Sequence, residues 1–153
     1  MAKAIAVYES KYGNTKLVAE MIAAGMKQGS MVDVTIAEVS GIDFSQITGF
    51  NVILIGSPNH MGSATANIKK FIDELGILNL EGKQVVVFDT YMKGDFEKAV
   101  RKMEKQIREK APGLKLVTPS LSIRVDSTKG PVTDDELEKC QEFGAKIAAL
   151  IKE

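Results

Sequence analysis

The sequence predicts an α/β fold, a three-layer doubly wound sheet of five parallel strands with helices on both faces. Apolar runs of strand length alternate with segments of helical period five times along the chain. Such alternation requires parallel strands joined by right-handed crossovers. Two of the runs, Val52-Ile53-Leu54-Ile55 and Val85-Val86-Val87-Phe88, are apolar on both faces, as strands between two helical layers are. The 153 residues, 44% hydrophobic and 26% charged, have an ordinary soluble composition. They suit one domain spanning 1–153, whose core buries roughly two-thirds of the unfolded surface.

Each element has its own signal. Ile5 to Tyr8 reads as a buried first strand, and Val18, Met21, Ile22, Gly25 and Met26 form the inner stripe of a first helix. Val32 to Val39 alternates as a second strand. Gly41 to Thr48 is short and polar and leaves room only for a turn or short helix. After the third strand at Val52–Ile55, Ile68, Phe71, Ile72 and Leu75 mark a helix. After the fourth, Phe96, Val100, Met103 and Ile107 mark the next. Leu114 to Val125 holds the last strand, interrupted at Pro119. The last helix starts at a capping box, Thr133-Asp134-Asp135-Glu136, with Leu137, Cys140, Gly144, Ile147, Ala148 and Ile151 facing inward. The strand order is then 2-1-3-4-5 or that of a Rossmann half. In both, ligands sit outside the carboxyl ends of the strands at the switch point.

Composition excludes several classes of function. Twenty basic and twenty acidic side chains balance, without the basic excess of a nucleic-acid binder. One cysteine forms no internal disulfide, and one histidine argues against a zinc site. The apolar run at Met1 to Tyr8 is too short for a signal peptide, and none reaches membrane-spanning length, so a reducing cytoplasmic setting is expected, with no membrane partner. Ile55-Gly56-Ser57-Pro58 holds no carboxylate at the end of strand three, which a phosphoacceptor receiver requires.

Three loops rich in small and hydroxyl residues follow strands one, three and four. Ser10-Lys11-Tyr12-Gly13-Asn14-Thr15 joins a strand to a helix N-terminus. There unpaired N–H groups and about half a unit of positive charge suit a phosphate dianion. Gly13 allows close approach, while Ser10, Thr15 and Asn14 add donors. The segment matches neither the Walker pattern nor GxGxxG. Its alternative reading is a tight turn capped by Asn14 or Thr15. The second loop is Gly56-Ser57-Pro58-Asn59-His60-Met61-Gly62-Ser63, and the third is Asp89-Thr90-Tyr91-Met92-Lys93-Gly94-Asp95. Taken alone, Met61 reads as core filling, His60 as a surface histidine and Asp89 as a turn acid capping the next helix.

Ser-x-x-Gly-Asn-Thr after strand one resembles the phosphate loop of flavodoxins, with Tyr12 where that family usually carries Thr or Ser. A tyrosine there is similar to the flavodoxin domains of flavodiiron proteins and some quinone reductases. The second loop resembles the one that packs on the flavin ring, and Met61-Gly62 resembles the Met-Gly pair of short-chain flavodoxins. In that family the glycine peptide turns over on reduction to accept the flavin N5–H. One such hydrogen bond is worth about 1 kcal/mol, roughly 40 mV for one electron. The third loop departs further: Asp89 replaces a glycine, and Lys93 stands where a stacking aromatic often lies. A lysine there would raise the potential.

The resemblance covers nearly the whole chain and implies the flavodoxin-like order 2-1-3-4-5 with FMN as cofactor. It implies contacts from Ser10, Lys11, Tyr12, Gly13, Asn14 and Thr15 to the phosphate side. On the ring side it implies Ser57, Pro58, Asn59, His60, Met61, Gly62, Asp89, Thr90, Tyr91, Lys93 and Gly94. It implies no catalytic residue and no metal. The expected activity is that of an electron carrier between redox partner proteins, as a monomer or weak dimer. The alternatives are an NAD(P)H-dependent FMN or quinone reductase, for which the chain has little spare length, and a scaffold that has lost its cofactor. Lys98, Arg101, Lys102, Lys105, Arg108 and Lys110 face the acidic start of the last helix in composition. That pattern reads as complementing helix dipoles, or as a dipolar molecule presenting a flavin edge to a redox partner.

Overall fold

The computed structural model describes residues 2–28 and 32–151. Strand β1 (Ala2–Tyr8) leads into helix α1 (Asn14–Lys27), then β2 (Val32–Glu38). Two 3-10 turns, Val39–Gly41 and Phe44–Gly49, occupy the short polar stretch before β3 (Val52–Pro58). Helix α2 (Ala66–Leu75), β4 (Gln84–Tyr91) and α3 (Lys98–Lys110) follow. Two short strands, β5 (Lys115–Leu116) and β6 (Leu121–Arg124), precede α4 (Asp134–Leu150). Strands run in the order β2-β1-β3-β4-β5, all pairings parallel, and β6 pairs with the far end of β4. The fifth strand is thus in two pieces, split around Pro119, which has no N–H to give the ladder.

β1, β3 and β4 are buried on both faces, so each contributes to two cores. Ile53, Ile55, Val85 and Val87 pack with α2 and α3; Leu54, Val86 and Phe88 pack with α1 and α4. The stripe expected for α2 is the observed one, Ile68, Phe71, Ile72 and Leu75. The expected inner face of α3 is corrected at its start. Phe96 lies before the helix and is 53% exposed, and Ala99 takes its place beside Val100, Met103 and Ile107. Helices α1 and α4 cross with backbones touching. A Cβ on Gly25 would fall 2.0 Å from the Gln141 carbonyl oxygen, and one on Gly144 would fall 2.0 Å from that of Ile22. Only glycine permits this crossing, which seats the start of α1 at the sheet's carboxyl edge. The capping box of α4 does not form. Thr133 is the N-cap without a side-chain cap bond, and Glu136 turns away to accept the Arg124 N–H (2.8 Å) and pair with Lys139 (2.6 Å).

Candidate functional site

A cleft of about 550 Å³ opens outside the carboxyl ends of β1, β3 and β4. That volume lies in the usual range for small-molecule and cofactor sites. Of the residues expected to contact a cofactor, Ser10, Lys11, Tyr12, Asn14, Thr15, Pro58, Asn59, His60, Thr90 and Tyr91 line it. Gly13, Ser57, Met61, Gly62, Asp89, Lys93 and Gly94 are not in its wall. They support the wall from behind or stand on its rim.

The start of α1 is open to the cleft. Gly13 is its N-cap with φ 91°, a left-handed conformation that glycine takes without strain. No side chain caps the helix, so the expected cap by Asn14 or Thr15 is absent and the first-turn N–H groups keep no side-chain acceptor. The contrast is with α2, where the Thr65 hydroxyl accepts the Ile68 N–H. The Ser10 hydroxyl accepts the Gly13 N–H (3.0 Å), which fixes the loop. Thr15 is buried, its Oγ1 3.0 Å from that of Thr90, tying the first loop to the third. Lys11 holds its Nζ 5.5 Å from the Tyr12 ring centroid at the open edge.

On the other side, His60 to Ser63 closes a tight hairpin: His60 N–H donates to Ser63 O (2.7 Å) and Ser63 N–H to His60 O (3.1 Å). Its central residues, Met61 (φ 53°) and Gly62 (φ 78°), have the signs of a type I′ turn. Met61 is 91% exposed, which overturns its reading as core filling. Behind this hairpin Ser57 is fully buried, donating to Pro58 O (2.9 Å) and accepting the Thr65 N–H (3.0 Å).

Asp89 is the buried tie beneath the ring-side loops. One carboxylate oxygen accepts Asn59 Nδ2 (3.2 Å) and the Val100 N–H (3.1 Å), and the other accepts the Ser122 hydroxyl (2.5 Å). It therefore caps α3 at its third residue, as its turn-acid reading expects, while also holding the second loop. Burial pushes its carboxyl up from 3.8 to about 6, against the lowering pull of those three hydrogen bonds. Asn59 also donates to Thr90 O (3.3 Å), so both its N–H bonds are spent on the protein. Its Oδ1 is buried without a partner, beside the cleft it lines. Tyr91 is in the cleft wall, braced edge-on by Phe96 (ring centroids 5.3 Å apart). Lys93 is exposed and outside the wall, so the charge this loop brings to the cleft is that of Asp95 instead.

Sequence reasoning missed Glu9, Glu38, Thr65, Met92, Asp95 and a fourth wall, Val125, Ser127 and Thr128. The fourth loop had a signal. Ser127-Thr128-Lys129-Gly130 follows the last strand with the same small, hydroxyl-rich composition as the others. It sits on the first loop: Asn14 Nδ2 donates to Thr128 O (3.4 Å), and a Cβ on Gly130 would fall 2.8 Å from Asn14 Oδ1. Cys140 is no nucleophile, since burial pushes its thiol up to about 12. Among the described residues no cluster could hold a metal ion, and no helix is long and apolar enough to cross a membrane. The open helix N-terminus suits a phosphate, the unpaired Asn59 oxygen suits an N–H donor, and Tyr12 and Tyr91 suit a planar ring, so the residues present fit FMN.

Comparison with known proteins gives the same family. The chain is 32% identical to a flavodoxin of Clostridium saccharobutylicum over 84 residues, 55% of this chain and 52% of that one. It is 28% identical to the flavodoxin of Clostridium beijerinckii over 147 residues, 94% of this chain and 98% of that one. Two of its curated relatives are matched over only about half their own length, 52% and 50%. Among solved structures, a flavodoxin from the domain Archaea superposes with a TM-score of 0.82 at 30% identity, covering 96% of both chains. The flavodoxin domain family matches residues 5–124. The chain belongs to that family and is an FMN-binding flavoprotein.

Proposed function

We propose that the chain holds one FMN in this cleft and carries electrons between redox partner proteins. The observation that carries the reading is the uncapped start of α1 opening into the same cleft as Tyr91 and the unpaired Asn59 oxygen. When bound, FMN supplies one- and two-electron redox chemistry; the protein supplies orientation and electrostatics. The α1 amides, Ser10 and Asn14 take the phosphate, with Lys11 as the one cation in the wall. Asn59 orients the ring edge through its free acceptor. Tyr12 and Tyr91 cover ring surface and exclude water. Asp89 does not touch the cofactor; it keeps Asn59 and the start of α3 in place. The free, buried thiol of Cys140 suits a reducing, cytoplasmic compartment; a monomer or weak dimer is the form proposed there.

Reconstitution with FMN followed by absorbance tests this. One flavin per chain, reduced by a one-electron donor and reoxidised by a protein acceptor, is the expected result. No retained flavin after reconstitution overturns it. Rapid bleaching of the bound flavin by NADPH alone replaces the carrier with a reductase.

A further inference from the structure

We infer that the partner docking over the ring-side rim is an acidic protein, and that Lys102 of α3 recruits it. The inference rests on the electron-carrier reading above and adds the partner's chemistry. The rim carries two large apolar side chains without internal partners for most of their surface, Met61 (91% exposed) and Phe96 (53% exposed). Each is next to a cleft residue: Met61 follows His60, and Phe96 packs against Tyr91. The turn at Gly62 lies against the first turn of α3, the helix that Phe96 precedes. A Cβ on Gly62 would be 3.6 Å from Lys98 Cδ and 3.9 Å from Lys102 Nζ. An exposed apolar rim flanked by charge is the anatomy of a protein interface rather than of a solvated loop.

The sign of that charge identifies the partner. Helix α3 carries six cations against two acids, a net +4, whereas α4 on the opposite layer carries five acids against two cations. Two acids just before α3 offset cations at the rim: Lys98 pairs with Asp95 (3.2 Å) and Arg101 with Glu97 (3.0 Å). Among the described residues no acid pairs with Lys102. A molecule approaching the apolar patch therefore meets the unpaired charge of Lys102, and attraction of opposite charge raises association rates at low salt. A basic partner is repelled at the same place.

Two one-electron acceptors of opposite surface charge provide the test: plastocyanin, which is acidic, and cytochrome c, which is basic. One electron leaves the reduced holoprotein and converts Cu(II) to Cu(I) or Fe(III) to Fe(II). The plastocyanin rate should fall as salt rises, and the cytochrome c rate should rise. Lys102→Glu should slow plastocyanin about five- to tenfold at low salt, the difference vanishing at high salt. Lys110→Glu changes net charge equally at the far end of α3 and should have less than a twofold effect. A plastocyanin rate that rises with salt, or equal effects of the two variants, overturns the inference. FMN content is measured on every sample, so loss of flavin counts against the carrier reading and leaves the docking result separate.

Discussion

The phosphate side and the ring side of the cleft are built with different backbones. From Ser10 to Thr15 the one positive φ falls on Gly13. On the ring side three non-glycine residues have it: Met61 (φ 53°), Lys93 (φ 54°) and Glu97 (φ 62°). Left-handed backbone costs a non-glycine residue about 1–2 kcal/mol. The phosphate side rests on a helix end and a glycine, with neutral hydrogen-bond ties from Thr15 to Thr90 and from Asn14 to Thr128. The ring side is held in a costlier shape by long-range ties, with the Asp89 carboxylate joining the second loop, α3 and β6. The ties of one side are uncharged, whereas the other depends on a buried carboxyl far away in sequence.

Removing that charge gives the largest expected effect. The unfolded chain releases the Asp89 proton near pH 3.8 and the folded chain near 6, so between these values the folded state holds one more proton. The associated stability is present below pH 3.8 and is lost as pH rises through 6. The loss is about 3 kcal/mol over the whole window. Asp89→Asn removes this dependence. Urea unfolding of the FMN-free wild type and variant at pH 3.5 and 7 should show their difference changing by that amount in the variant's favour at pH 7. An unchanged difference would mean that Asp89 is not the buried titrating tie.

The phosphate side should respond in binding rather than folding. Ser10→Ala removes the acceptor of the Gly13 N–H and a hydroxyl facing the cleft. Hydrogen bonds to charged groups contribute about 1.5–3 kcal/mol. FMN affinity, measured by fluorescence quenching, should fall roughly 10- to 100-fold while the unfolding free energy of the FMN-free chain in urea stays within about 0.5 kcal/mol of wild type. A large loss of apoprotein stability would erase the contrast between the two sides.

The same contrast decides what was legible in the sequence. The strand-helix alternation, the α2 stripe and the first loop are set by short-range patterns, whereas the sheet order comes from the family resemblance. Those patterns survive folding unchanged. The misreadings at Phe96 and Glu136 sit where distant groups decide. Phe96 fits a helical period, but the chain at Glu97 turns left-handed as its N–H is taken by Ser122, and the helix starts two residues later than the period suggests. Glu136 completed a capping-box spacing, but the Arg124 N–H and Lys139 claimed its carboxylate. The fourth wall at Ser127 and Thr128 was readable by the rule that selected the other three loops, applied to the last strand as well.

The smallest effects test the backbone contrast itself. At Gly13 an added Cβ meets nothing within 4 Å, so Gly13→Ala changes only backbone conformational energy at φ 91°. It should destabilise the FMN-free chain by about 1 kcal/mol. At Lys93 the side chain is exposed and has no ion pair among the described residues, so Lys93→Gly likewise changes little besides the backbone. Relief of the left-handed strain outweighs the added freedom of the unfolded chain, and the variant should be more stable by roughly 0.5–1 kcal/mol. The two substitutions swap glycine and non-glycine in opposite directions, so opposite signs are required. Matching signs in urea titrations at pH 7 would show that the ring-side loop carries no strain and that its three positive φ values are merely tolerated turns.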